Sequence, residues 1–364
     1  GGPWGGAGVF VFERDQLLLG QPARMVYFDL ESVNPNYGGM LPSDLDGPPP
    51  PEGTPNYFLE VDDSTWIGPV DAMRVWEFHA DWNNPDNTTF GISGSPNQTL
   101  PVANFNPLCI TNTACIPQLG TIRRLDAIGD RLMHRVQYRN YGEYTTLVTN
   151  HTVDAGSSVA GVRWHELHSS DGDWTIHQQG TFTNNGDGIH RWMGSLALDG
   201  AGNLAVGYSA SSSGIYPAIR YAGRLVDDPP GVLAQGEASL IEGGGAQTSI
   251  YSRWGDYSML SVDPVDDCTF WYTTEYYPVT SSSDWHTRIG SFAFPGCLAT
   301  ESGTLSGLVT DSETTTPLAN VTLDASGFTT LTGADGRYQF TDLAPGTYTL
   351  TASLYGYQPA TVFG

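Results

Sequence analysis

The chain has 364 residues, and its 39 acidic side chains outnumber 15 basic ones for a formal net charge of −24; every basic residue is arginine. That balance repels phosphate backbones and argues against a nucleic-acid partner, and the missing lysine removes Schiff-base chemistry and lysine–asparagine crosslinks within the chain. With 44 glycines, 24 prolines, 12% aromatics and no long run of apolar residues at helical spacing, the composition reads as all-β.

In chain order, the opening Gly1-Gly-Pro-Trp-Gly-Gly has neither the charged nor the apolar region of a signal peptide, and the chain is expected to be a fragment of something longer. Strands are predicted at Val9–Glu13, Arg24–Leu30, Tyr57–Val61 and Met73–His79, separated by long polar loops that include the stiff Pro48–Pro51. Four more follow at Arg131–Tyr138, Tyr144–Thr152, Ala160–His165 and Trp174–Phe182. No segment approaches the roughly 20 apolar residues of a membrane helix, so no membrane span is expected.

Two later segments align. Arg191-Trp192-Met-Gly-Ser195 leads through Asp199 and Gly202-Asn203 into Leu204–Ser209, and Arg253-Trp254-Gly-Asp-Tyr-Ser258 leads through Asp263 and Asp266-Asp267 into Cys268–Thr273. The two tryptophans lie 62 residues apart. With Ala218–Arg224 and Gly236–Ile241, the first unit has four strands. Four-stranded units at this spacing predict a β-propeller, incomplete at its N-terminal side; a flat β-sandwich with decorated loops is the plainer alternative.

Of four cysteines, Cys268 and Cys297 flank two strands joined by a Ser-rich loop, which sets them opposite one another at a hairpin's base and predicts a disulfide. Cys109 and Cys115 would close a short local loop, and no His or Cys stands at zinc-finger spacing near either pair. Disulfides imply an oxidising, extracellular or cell-surface setting.

After a boundary at Ala299–Ser302 comes Gly303-Thr-Leu-Ser-Gly-Leu-Val-Thr-Asp311, then Pro317–Leu323, Ala334-Asp-Gly-Arg-Tyr-Gln-Phe340, Leu343-Ala-Pro-Gly-Thr-Tyr-Thr-Leu350 and Gly356-Tyr357. Tyr338/Phe340 and Tyr348/Leu350 alternate at strand period, Asp335-Gly336 supplies a tight hairpin turn and Pro345-Gly346 a second turn. The order resembles the carboxypeptidase regulatory-like domain, which implies a small transthyretin-like β-sandwich serving as a spacer on secreted proteins. A further strand normally follows the Gly-Tyr in that family, so the module is expected to be cut short. The expected division is therefore a propeller over 1–298, a linker over 299–302 and a sandwich over 303–364.

The segment before the boundary also resembles a family of large uncharacterised secreted bacterial proteins. The resemblance lies in Val11-Phe-Glu-Arg-Asp15 with Ala23–Asp29, Glu60-Val-Asp-Asp-Ser-Thr-Trp66, Leu125-Asp-Ala-Ile-Gly-Asp-Arg-Leu-Met133, and Trp254-Gly-Asp-Tyr-Ser258 with Asp263–Trp271. It implies a propeller and an extracellular location, and no activity.

Candidate chemistry is sparse. Sialidase-type propellers use an arginine cluster, a Tyr–Glu pair and an acidic proton donor; Arg191, Arg220, Arg253 and Arg288 fall on the repeated units, and Glu275-Tyr276-Tyr277 follows an apolar strand. Arg–Trp stacking between sheets is the plainer reading of the repeat. Asp263, Asp266 and Asp267 are the leading candidates for Ca2+, although Asp also dominates ordinary turns. His165 and His168, three apart, would point to opposite faces of a strand, which is poor for a shared metal. The main expectation is a non-catalytic recognition or assembly protein binding a glycan or protein surface through Arg191, Trp192, Arg253 and Trp254. Another chain or precursor segment, in a homopolymer for example, would complete its open sheet edges. The alternative is a glycan-active hydrolase. A pocket at the propeller axis with convergent arginines would favour the enzyme, and a plugged axis the binder.

Overall fold

The computed structural model describes residues 5–66, 68–111, 113–184, 186–297, 303–325, 327–343 and 347–363. The expected linker 299–302 and the Pro345-Gly346 turn lie outside these residues. The described residues are nearly all-β, with a short α-helix, Arg14–Leu18, between β1 (Gly8–Phe12) and β2 (Met25–Asp29), which pair antiparallel, and one 3-10 turn at Pro85–Asn87.

β3 (Leu41–Leu45), β4 (Asn56–Asp62), β5 (Ala72–His79), β6 (Thr89–Phe90) and β7 (Gln98–Pro101) begin a large sheet. Its second half is the meander of β8 (Leu132–Asn140), β9 (Thr145–Asp154), β10 (Ala160–Ser169) and β11 (Thr175–Phe182). β3 joins the halves: it runs antiparallel to β4 and parallel to β8, with Ser43 opposite Val136. Next come a four-stranded meander, β12 (His190–Leu198), β13 (Leu204–Ser212), β14 (Ile215–Arg224) and β15 (Glu237–Ile241), and a three-stranded one, β16 (Met259–Val262), β17 (Phe270–Tyr276) and β18 (His286–Phe292).

These sheets stack face to face as propeller blades do, and strand periodicity is the cause. On β12, Leu196 and Leu198 point into the cluster shared with Val148, Val162 and Trp164, whereas Ala197 points the other way, into the cluster with Leu260, Phe270 and Tyr272. A central sheet apolar on both faces must be covered on both, at roughly 1.5–3 kcal/mol for each fully buried aliphatic side chain. Gly207 allows the closest approach, since a Cβ there would meet the Tyr272 ring at 2.5 Å. β12 packs against β8 and β16, so the first strands of successive sheets lie together at the inner side.

Both disulfides form, Cys268–Cys297 and Cys109–Cys115, with Cα atoms 5.6 and 5.7 Å apart. Trp192 lies on β12 and Trp254 in the segment before β16, and both enter one core with ring centroids 6.3 Å apart.

The C-terminal β-sandwich has β19 (Gly303–Leu308), β20 (Thr322–Ala325), β21 (Phe328–Leu331), β22 (Arg337–Leu343), β23 (Thr349–Ser353) and β24 (Ala360–Phe363). β19 pairs with β22, and the other sheet runs β21-β20-β23-β24. Phe340, Leu323 and Val321 are buried, with Tyr338, Tyr348 and Leu350 half-buried against them. One expectation is corrected: a strand does follow Gly356-Tyr357, because Ala360–Phe363 pairs along β23 with Leu350 opposite Val362.

Candidate functional site

One end of the propeller sheets gathers three carboxyls raised by burial. β8 begins directly after Asp130-Arg131, β16 soon after Asp256-Tyr257, and Glu275 lies near the end of β17, two residues past the Thr273 that faces Met259. The segment between β7 and β8 crosses this end. Its Leu108, Ile116, Leu125, Ala127 and Ile128 cover Trp192, Met193, Trp254 and Tyr277, and the Asp126 N–H donates to the Ser252 carbonyl at 2.8 Å. The segment therefore covers the aromatic core at this end, and the polar cluster lies along its edge.

Trp254 anchors this rim. Its ring packs on Tyr277 at 5.6 Å and its Nε1–H donates to Ser209 Oγ at 3.0 Å. Gly255 then takes φ +56°, a left-handed turn that favours glycine. The turn sets its N–H toward Glu275 and leaves Tyr257 exposed, while the Asp256 side chain stays largely covered. Burial is the largest influence on the half-buried Glu275 carboxyl; with the like charge of Asp256 it outweighs the Gly255 hydrogen bond and pushes the pKa to about 7. Asp256 pairs with Arg253, whose side chain is 65% exposed. Arg253 also faces Asp126 and Asp130. Asp126, buried and accepting the Ile128 N–H at 2.9 Å, is raised chiefly by burial.

Arg131 pairs with Asp130 at 2.8 Å and bonds the exposed Tyr257. Gly39 lies against Arg131, where a Cβ would come within 2.7 Å of the arginine Cβ. The neighbouring Gly38 N–H donates to Glu60 Oε1 at 2.6 Å, while the buried Glu60 Oε2 has no hydrogen-bond partner among the described residues. Burial, then the like charge of Asp62, pushes Glu60 to about 8.

Of the four arginines singled out in sequence, two converge, away from the rim: the fully buried Arg191 and Arg220 both meet Glu237, each at 2.6 Å, while Tyr208 donates to the same carboxylate at 2.8 Å. Arg288 lies on β18 opposite Thr274. Trp192 and Trp254 are buried and present no surface to a ligand, so of the four proposed binding residues only Arg253 reaches solvent at the site. The candidate calcium ligands are likewise engaged. Asp266 accepts the Cys268 and Thr269 N–H groups, Asp267 pairs with Arg139, and Asp263 accepts from Val265 N–H and Trp271 Nε1. Among the described residues they belong to no group of His, Cys, Asp and Glu placed to share a metal ion. Sequence reasoning passed over Asp126, Asp130, Arg131, Asp256 and Tyr257 as functional residues, and met Glu60 only as a neighbour of Asp62-Asp63 in a carboxylate-rich turn. The one signal of the first five was that they fall in segments that carry the bacterial-family resemblance.

Beside the cluster, a cleft of about 650 Å³ runs under the Cys109–Cys115 loop past Arg124, Ser157, Ser158 and His190. A depression of about 250 Å³ lies on the sandwich around Asn320 and Tyr355. Neither is lined by a carboxylate, so the acidic cluster and these two cavities do not share one space.

Residues 304–363 match the carboxypeptidase regulatory-like domain. No curated protein matches the chain in sequence. Similar solved structures include an exo-1,5-α-L-arabinanase from a bovine ruminal metagenomic library, 9% identical over 85% of this chain and 86% of that one, TM-score 0.29. A GH43 endo-arabinanase from Bacillus licheniformis is 12% identical over 90% and 93%, TM-score 0.30. A GH43_12 protein from a capybara gut metagenome is 11% identical over 91% of this chain and 56% of its own, TM-score 0.32. The expected non-catalytic recognition role is corrected on this chain's own side chains: the rim sets Glu275, a carboxyl raised by burial to about 7, beside Asp256, a second carboxylate held by Arg253, and of the two initial readings the glycan-active one is kept. No helix among the described residues is long and apolar enough to cross a membrane.

Proposed function

We propose that the chain is a glycan-active hydrolase working at the rim formed by Arg253–Tyr257, Asp126–Arg131 and Glu275. The observation that carries this reading is the pairing of Glu275, a carboxyl that keeps its proton to about pH 7, with Asp256, a second carboxylate bound to Arg253. Glycoside cleavage needs one carboxylic acid to protonate the leaving oxygen and one carboxylate to act on the sugar carbon or on a water, and two environments that separate the two roles. Glu275 takes the first role and Asp256 the second. The exposed Tyr257 ring offers a stacking face for a sugar, and Arg131 and Arg253 supply donors to its hydroxyls. The cleft past Arg124 and Ser157 gives neighbouring sugar units room along the same end.

The two disulfides support an extracellular location, and the sandwich over 303–364, joined through 299–302 to the propeller over 1–298, acts as a spacer. Two of the segments that resemble the secreted bacterial family, Leu125–Met133 and Trp254–Ser258, meet at this rim, which is consistent with membership of that family. The free edge of β18 is paired by another polypeptide segment. The test is a polysaccharide panel, 1,5-arabinan included, assayed for new reducing ends. Release by the native chain and not by Glu275→Gln is expected; equal release by both, or release by neither from any glycan, would remove the proposal.

A further inference from the structure

Apart from the rim, the opposite end of β10 holds a second constellation. Glu166 and His168 lie two apart on β10 and so share a face, and His177 joins them from β11. A β-bulge brings it there. Glu166 faces Gln178 and Leu167 faces Ile176, leaving His177 as the extra, unpaired residue of the bulged strand. Bulges re-aim side chains, and this one lays the His177 ring parallel on His168, with centroids 3.8 Å apart and planes 2° apart. Glu166 Oε1 lies 2.6 Å from His168 Nε2, and Glu166 Oε2 accepts from Gln178 Nε2 at 2.6 Å. On its outer face His168 stacks on Tyr144 at 4.6 Å, which holds the ring in place.

We propose that Glu166, His168 and His177 bind a divalent transition-metal ion, Zn2+ by the chemistry of the donors, with water completing the shell. One ligand atom from each residue lies within 4.8 Å of the others, and among the described residues no other set of His, Cys, Asp and Glu meets that condition. Two ligands on one zinc with bonds of about 2.1 Å stand about 3.4 Å apart at a tetrahedral angle, so the set closes once the exposed His177 ring rotates out of its parallel stack on His168 and turns a nitrogen lone pair toward the ion. Two imidazoles with one carboxylate suit zinc and its neighbours and not calcium, which takes six or more oxygens. Charge favours the ion as well: Glu166 is buried, and the one ion-pair partner it has among the described residues is His168, which is cationic only when protonated. The Gln178 hydrogen bond fixes the ligating carboxylate from behind, as outer-shell partners do in zinc sites. The ion would staple β10 to β11 far from Glu275.

The test is isothermal titration of the untagged chain with ZnCl2 after chelator dialysis, repeated with CoCl2 while following visible absorption. One equivalent per chain is expected, with a cobalt spectrum of intensity typical of four-coordination. Glu166→Gln, His168→Ala and His177→Ala should each weaken binding by at least about tenfold, and His79→Ala should leave it unchanged. His177 is exposed, so His177→Ala should fold as the native chain does, which circular dichroism checks. Absence of binding, or binding that survives His177→Ala, would overturn the assignment.

Discussion

Replacing Glu60 by glutamine isolates the largest buried-carboxyl effect among the three at this end. Glu60 is 1% exposed, accepts one backbone hydrogen bond and has a folded-state pKa of about 8 against an ordinary 4.5. Below pH 4.5 the carboxyl is protonated in both folded and unfolded chains and costs nothing. Between pH 4.5 and 8 the unfolded chain ionises while the folded one holds its proton, so stability falls by about 1.4 kcal/mol per pH unit. The whole window amounts to about 4–5 kcal/mol from this one group. Glu60→Gln cannot titrate, so its stability, whatever its value at pH 5, should decline less from pH 5 to 8.5 than that of the native chain. Urea unfolding followed by tryptophan fluorescence at pH 5, 7 and 8.5 measures both slopes. The difference between the two declines is the quantity sought, because every other carboxyl titrates in both proteins. Parallel declines, within about 1 kcal/mol, would refute the burial argument for Glu60.

Other perturbations separate buried from exposed charge. Glu237→Ala leaves the buried Arg191 and Tyr208 without the carboxylate they share and should cost about 3–5 kcal/mol in denaturant unfolding, whereas Arg253→Ala, at a pair exposed on one side, should cost under about 1 kcal/mol. Replacing Cys268 and Cys297 together by alanine should lower stability by about 2–4 kcal/mol, read as a shift in the unfolding midpoint without reductant, which leaves Cys109–Cys115 intact in both proteins. In the sandwich, Phe340→Ala should cost about 3–5 kcal/mol and Tyr348→Ala less, since Phe340 is buried and Tyr348 only half so.

The strands from β8 to β15 were legible because each alternates or runs apolar within one sheet and is followed within three residues by Asp, Gly or Asn. β3 was not. Leu41-Pro-Ser-Asp-Leu45 carries a proline and an acid, and it is a strand because β4 and β8 offer edges on either side. The Arg–Trp repeat pointed to the right place for the wrong reason. Its tryptophans are core, and Trp254 matters to the site as the anchor of the Gly255 turn. Arg253 and Glu275 could be picked from sequence, yet Asp126, Asp130 and Arg131 come from a segment more than a hundred residues upstream and reach them only through the crossing loop. The metal cluster was hidden by a single residue. His165 and His168 do face apart, with His165 buried beside His151, and the partner of His168 stands on the next strand at a bulge no periodicity announces.

The most direct measurement of the central claim is the pH dependence of glycan cleavage by the native chain and by Glu275→Gln. A general acid with a pKa of about 7 is active when protonated, so kcat/KM should fall tenfold per pH unit above a midpoint near 7, and Glu275→Gln should lose about 10²–10⁴-fold without unfolding. A rate that stays flat from pH 6 to 9, or a Glu275→Gln variant that keeps the native rate and profile, would contradict the account.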